Sequence, residues 1–163
     1  MKTYIYSTAV ETARALIKHI ISLMEAEPQK IFHIAFSGGS TPSLMFDLWA
    51  DEFKDTTPWL RMRIYWVDER CVPAEDSESN YGTMRRLLLD KVHMPEEYIF
   101  PIDGSNRPDD EAKRYSSVGV VMHLFGMDSR LSTLCCSVQV KTVIPRLFFQ
   151  DRSIYFLPFI LMR

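Results

Sequence analysis

Apolar residues recur with two alternating periods through the first 118 positions of the chain. The segment 3–7 (TYIYS) is β-branched and aromatic and predicts a short strand. Ala13, Leu16, Ile17, Ile20 and Met24 then recur at helical spacing, which predicts an amphipathic helix started by Thr8 or Glu11 and ended before Pro28. The run IFHIAF (31–36) is apolar almost throughout and of strand length, the pattern of a parallel strand buried on both faces. A glycine-rich hexapeptide, SGGSTP (37–42), separates it from a second helical pattern over 43–53, which Thr57-Pro58 closes. MRIYWVDE (62–69) predicts another buried strand with charged final residues. A polar loop, a helix over 83–92, a short strand over 97–103 and a helix from 109 to 118 complete the series.

Strands alternating with helices predict an α/β domain with a mostly parallel sheet flanked by helices. Ligands of such sheets bind at the carboxyl ends of the strands. The two segments richest in chemistry, SGGSTP and DERCVP, both fall there. From residue 119 the pattern is lost. The tail 119–163 follows neither period, carries only Asp128 and Asp151 as acids, and ends in FLPFILMR.

Composition narrows the field. With 47% hydrophobic and 25% charged residues and a net charge of −2, the chain has the balance of one soluble globular domain. No basic stripe points to nucleic acid. No apolar run is long enough for a membrane span, and the N-terminus lacks the apolar core of a signal peptide. Three cysteines, two of them adjacent (Cys135 and Cys136), form neither a disulfide framework nor a spaced zinc site. No metal is expected, and a reducing cytoplasm is the expected compartment.

Three constellations carry candidate chemistry. In Ser37-Gly38-Gly39-Ser40-Thr41-Pro42, two glycines after a strand allow positive φ and close backbone approach to a ligand. Ser40 or Thr41 can cap the helix, Pro42 suits its first turn, and the free amides there favour an anion. An ordinary, well-capped turn is the competing reading. The loop matches neither the Walker pattern nor the dinucleotide pattern. In Asp68-Glu69-Arg70, Arg70 can clamp an oxyanion with two parallel hydrogen bonds, while Asp68 or Glu69 can orient it or move a proton. A solvated strand end with a local ion pair is the alternative. The third segment, Asp76 to Tyr81, is either a polar surface loop or one in which Asn80 and Tyr81 cap and seat the next helix beside a pocket. His33, within a strand, reads as a core histidine, His19 and His93 as boundary residues, and Trp49, Trp59 and Trp66 as core.

Strand-SGGSTP-helix followed by WVDERCVPAEDSESNYG resembles the 6-phosphogluconolactonase family, whose pattern at the second motif is W-x-DER-x-VP-x-x-x-x-x-SNYG. Trp66, Asp68, Glu69, Arg70, Val72, Pro73, Ser79, Asn80, Tyr81 and Gly82 match it. The glucosamine-6-phosphate deaminases that share the fold read more like MDEY there, so Arg70 favours the lactonase. The resemblance covers roughly residues 5–118. It implies a Rossmann-like sheet, incomplete at the C-terminus, and hydrolysis of 6-phospho-D-glucono-1,5-lactone to 6-phosphogluconate in the oxidative pentose phosphate pathway, without a cofactor. The phosphate would sit on Ser37, Gly38, Gly39, Ser40 and Thr41. Arg70 would contact substrate oxygens, with Asp68 and Glu69 beside it and Asn80 and Tyr81 supporting the pocket. A histidine in a later loop, G-x-G-x-DGHTAS-x-FP, would activate the attacking water.

That loop is absent from this reading frame. Synonymous codons for Leu134–Arg146, entered one base early, permit FVLLGAGEDGHTA, and the same offset over the following residues permits SIFPGQIDLF. The sequence therefore predicts a frame slip before Phe125, soon after Ser117, with a genuinely divergent C-terminus as the competing reading. Residues 1–118 would be the N-terminal part of a lactonase-like domain. Residues 119–163 would be an out-of-frame, poorly ordered tail, and this chain would be inactive. A sugar-phosphate isomerase or deaminase of the same fold and a non-catalytic sugar-phosphate-binding remnant are the alternatives. The expected partner is a small sugar-phosphate lactone. Composition does not fix the oligomeric state.

Overall fold

The computed structural model describes residues 6–118 and the backbone of residues 154–156. The predicted strand at 3–7 and the tail 119–163 lie almost wholly outside the described residues. The first described helix, α1 (Ala9–Ala26), is capped by Thr8, whose hydroxyl accepts the Glu11 amide at 3.1 Å. Glu11 in turn accepts the Ser7 amide at 3.2 Å, so donors at the helix start are satisfied by two side chains. Ile17, Ile20 and Met24 form its buried stripe, as the spacing predicts.

Strand β1 (Phe32–Phe36) lies parallel to β2 (Met62–Trp66), pairing Phe32 with Met62 and Phe36 with Trp66. Strand β3 (Ile99–Phe100) adds to β2, and β4 (Ile154–Phe156) adds to the free side of β1, giving the parallel order β3-β2-β1-β4. Both faces of the central pair are covered. Phe36 meets Phe46 and Trp49 of α2 (Ser40–Glu52) edge-on, and Trp66 meets Tyr81 of α3 (Asn80–Leu87) at 5.2 Å. On the opposite face His33, Tyr65 and Phe100 stack in a row.

The strand predicted at 62–69 ends at Trp66, and three further predicted boundaries shift, each for a local reason. The helix predicted from 43 begins at Ser40, and its cap is Gly39 rather than Ser40 or Thr41. The helix predicted at 83–92 begins at Asn80, because Ser79, not Asn80 or Tyr81, caps it by accepting the Gly82 amide at 3.0 Å; after Leu87 the chain tightens into a 3₁₀ turn. The strand predicted at 97–103 shrinks to two residues, since a 3₁₀ turn occupies Glu96–Tyr98 and Pro101 has no amide to extend the ladder. Helix α4 (Pro108–Ser117) follows. Its Tyr115 hydroxyl accepts the Trp66 amide at 2.9 Å and lies 3.0 Å and 3.1 Å from the carbonyls of Trp66 and Phe100, fastening the ends of β2 and β3. Burial raises the Tyr115 phenol pKa, so the group keeps its proton and its donor role.

Candidate functional site

The carboxyl ends of β1 and β2 each release a loop, and the two loops meet. Gly39 sits at φ 116° and ψ 174°, a backbone region that essentially only glycine adopts at low cost. This turns the chain sharply into α2. No side chain caps the helix start, so its first amides remain available to an anion, and the helix dipole favours one there. Gly38 matters for a different reason. A Cβ there would lie 1.6 Å from Asn80 Oδ1, so any larger residue must displace the Asn80 side chain from its place against the β1–α2 loop.

Asp68 and Glu69 bind different partners. Asp68 Oδ1 accepts the Ser37 hydroxyl at 2.5 Å, and Asp68 Oδ2 accepts Asn80 Nδ2 at 3.1 Å. The same Nδ2 donates to the Asp68 carbonyl at 3.0 Å. Asp68 thus ties the end of β1 to the start of α3. Glu69 is 4% exposed. Its Oε1 accepts the amides of Arg70 and Asn80, both at 2.7 Å, and its Oε2 accepts the Tyr81 amide at 2.8 Å and the Ser79 hydroxyl at 3.3 Å. This buried carboxylate thus has four donors and lies at the helix N-terminus, where orphan amides need acceptors.

With both acids engaged, Arg70 is exposed and makes no ion pair among the described residues. It lines a cleft of about 300 Å³ together with Gly38, Gly39, Ser43, Phe46, Asn80 and Thr83, and with Ser77 and the acid Glu78 of the polar loop. The structure therefore brings Gly38, Gly39, Arg70 and Asn80 to one cavity. Asp68 and Ser37 do not line it and are bonded to one another. Ser40 and Thr41 are exposed on the first turn of α2. Tyr81 turns its ring to Trp66, and its hydroxyl accepts Arg85 Nη1 at 2.9 Å, so it seats α3 rather than lining the cleft.

Ser43 and Thr83 were missed by sequence reading. Each sits one helical turn from a residue already singled out, Ser43 after Gly39 and Thr83 after Asn80, and that spacing is the signal that could have found them. The Ser43 hydroxyl donates to the Gly39 carbonyl at 2.8 Å and stiffens the turn. His33, expected in the core, is half-buried at its margin, with its ring nitrogen satisfied. Its Nδ1 lies 3.1 Å from the Tyr65 hydroxyl, and burial, with the Arg63 charge, holds its pKa below the ordinary histidine value. Among the described residues no group of three or more His, Cys, Asp or Glu side chains could hold a metal ion, and no helix is long and apolar enough to cross a membrane.

The chain is similar to known proteins. The family model described as glucosamine-6-phosphate isomerases/6-phosphogluconolactonase matches residues 7–126. Over 118 residues the chain is 36% identical to a 6-phosphogluconolactonase of Treponema pallidum, covering 71% of this chain and 47% of that protein. A 6-phosphogluconolactonase structure from Trypanosoma cruzi superposes with a TM-score of 0.60 at 27% identity, over 74% of this chain and 49% of the other. A monomeric glucosamine-6-phosphate deaminase shares the fold, with a TM-score of 0.63 at 15% identity over 76% of this chain and 52% of the other. The chain spans about half the length of the curated relatives it matches.

Proposed function

The chain belongs to the glucosamine-6-phosphate isomerase/6-phosphogluconolactonase family, and from that premise we propose that residues 1–118 are the substrate-anchoring part of a 6-phosphogluconolactonase, which hydrolyses 6-phospho-D-glucono-1,5-lactone to 6-phosphogluconate. One observation carries the reading. Arg70, without an acidic partner among the described residues, faces the same cleft as the positive-φ turn at Gly39 and the uncapped start of α2. Amides and a guanidinium converging on one cavity suit an oxyanion-rich sugar phosphate.

In this mechanism the first amides of α2 hold the phosphate. The anchored substrate then brings binding energy to the lactone at its other end. Arg70 contacts substrate oxygens and stabilises the negative charge that develops on the carbonyl oxygen as water adds. Asp68, through Ser37 and Asn80, and Glu69, through the amides of Arg70, Asn80 and Tyr81, fix the geometry of the two loops. The water-activating histidine belongs to the later loop that the tail encodes in another frame. Residues 119–163 are accordingly read as out of frame, and this chain as a binder of sugar phosphate that lacks turnover. The reaction needs no cofactor, and its setting is the cytoplasm.

The test uses two proteins, this 163-residue chain and a frame-restored version. Each is assayed for acid release from the lactone above its spontaneous hydrolysis, and for ammonia release from glucosamine 6-phosphate. Lactone hydrolysis by the frame-restored protein alone, with no ammonia from either, is the expected result. Ammonia release without lactone hydrolysis would replace this reading with the deaminase.

A further inference from the structure

Arg70 is gripped from a side that the mechanism above does not use. The loop after β3 passes beneath it, and Gly104 lies so close that a Cβ would sit 2.1 Å from the Arg70 carbonyl oxygen and 2.4 Å from that of Val72. These are backbone atoms in a tight turn, in which the Val72 amide donates to the Arg70 carbonyl at 2.8 Å. The Gly104 loop is itself fixed by one acid of α4. Glu111, 1% exposed, accepts the Asp103 amide at 2.7 Å on Oε1 and Asn106 Nδ2 at 2.9 Å on Oε2. Arg114 closes the unit with 2.8 Å from Nε to Glu111 Oε2 and 2.9 Å from Nη2 to the Pro101 carbonyl.

We propose that Glu111 and Gly104 are positioning residues for Arg70, setting the direction from which its guanidinium meets the substrate. This rests on the sugar-phosphate reading of the cleft. The physical case is a clamp with two jaws. The Arg70 amide is held by Glu69 at 2.7 Å, and its carbonyl is packed against Gly104. With both backbone ends located, the long side chain needs less ordering when an oxyanion arrives, and that pre-organisation is worth affinity. Glu111 lies on an element that contributes no lining residue to the cleft, so its influence must pass through the loop at 103–106.

The experiment compares Gly104→Ala and Glu111→Gln with the unsubstituted 163-residue chain, each with Arg70 intact and in an Arg70→Ala background. Binding of 6-phosphogluconate is measured by titration calorimetry, and amide exchange by mass spectrometry. Gly104→Ala should weaken binding about tenfold when Arg70 is present, since small displacements of a positioned group cost one to two orders of magnitude. In the Arg70→Ala background the same change should alter affinity by less than about twofold, because coupled groups do not add. Glu111→Gln, which leaves the backbone space unchanged, should follow the same pattern more weakly. Equal losses in both backgrounds would make the loop merely structural and overturn the proposal. Exchange at Arg70 and Val72 should accelerate in Gly104→Ala while β1 stays protected. Unchanged exchange there would also overturn it. If the unsubstituted chain fails to bind 6-phosphogluconate, the sugar-phosphate reading falls, and the exchange result alone decides whether the clamp exists.

Discussion

Gly38 and Gly39 are neighbours of the same residue type with different physical duties, and substitution separates them. Gly39 has open space around its missing Cβ but a backbone that other residues adopt only under strain. Gly39→Ala should therefore cost on the order of 1–3 kcal/mol of stability while leaving Asn80 in place. Gly38 has the reverse problem, because its missing Cβ overlaps Asn80. Gly38→Ala should displace the Asn80 amide, break its bonds to Asp68 and disorder the cleft. Urea denaturation measures the first effect. For the second, loss of 6-phosphogluconate binding beyond any loss of stability is the expected outcome. Arg70 belongs to this scale too. The sequence marked it as a candidate oxyanion clamp, yet could not say whether Asp68 and Glu69 would neutralise it. They do not, because each is occupied by Ser37, by Asn80 or by backbone amides.

At the scale of elements, α3 and α4 act as props for the loop that leaves β2. Helix α3 is short, and its N-terminus is held by Ser79 and Glu69 together. Ser79→Ala should lower stability by about 1 kcal/mol, the usual value of a hydroxyl cap, and should raise amide exchange at Gly82 first. Helix α4 predicts a pH effect. Burial pushes the Glu111 pKa up, but hydrogen bonds from Arg114, the Asp103 amide and Asn106 outweigh it, and the pKa is held below the ordinary 4.5. A folded-state value below the unfolded one means that the unfolded chain binds the proton first. The stabilisation from Glu111 is thus complete well above pH 4.5 and is lost as pH falls from there towards the folded-state value. Denaturation midpoints measured from pH 7 to pH 3 should fall more steeply below about 4.5 for the unsubstituted chain than for Glu111→Gln. Parallel curves would mean that Glu111 contributes no proton-linked stability.

At the scale of the whole molecule, the described residues complete one side of a family fold whose relatives are about twice as long. The proposed frame slip is a statement about the gene, and DNA sequence across codons 116–126 checks it. An insertion or deletion there, with the histidine loop restored in the corrected frame, is the expected result, and an uninterrupted frame in independent isolates would remove the idea. Much of the fold was legible beforehand. The near-continuous apolar runs at 31–36 and 62–66 suit parallel strands buried on both faces, and they are the central pair. Helix ends were less legible, because Ser79 and Glu69 cap α3 through partners that sequence spacing does not show. The sequence by itself determined the alternation of strand and helix, a glycine turn at 38–39 able to take positive φ, and the placing of both chemical motifs at strand ends, because these follow from local periodicity and backbone sterics. Only the tertiary structure decided that Asp68 and Glu69 are engaged away from Arg70, that Gly38 packs against Asn80, and that Glu111 bonds the loop carrying Gly104. Those facts depend on which distant segments touch, and contact across loops is set by packing rather than by any period along the chain.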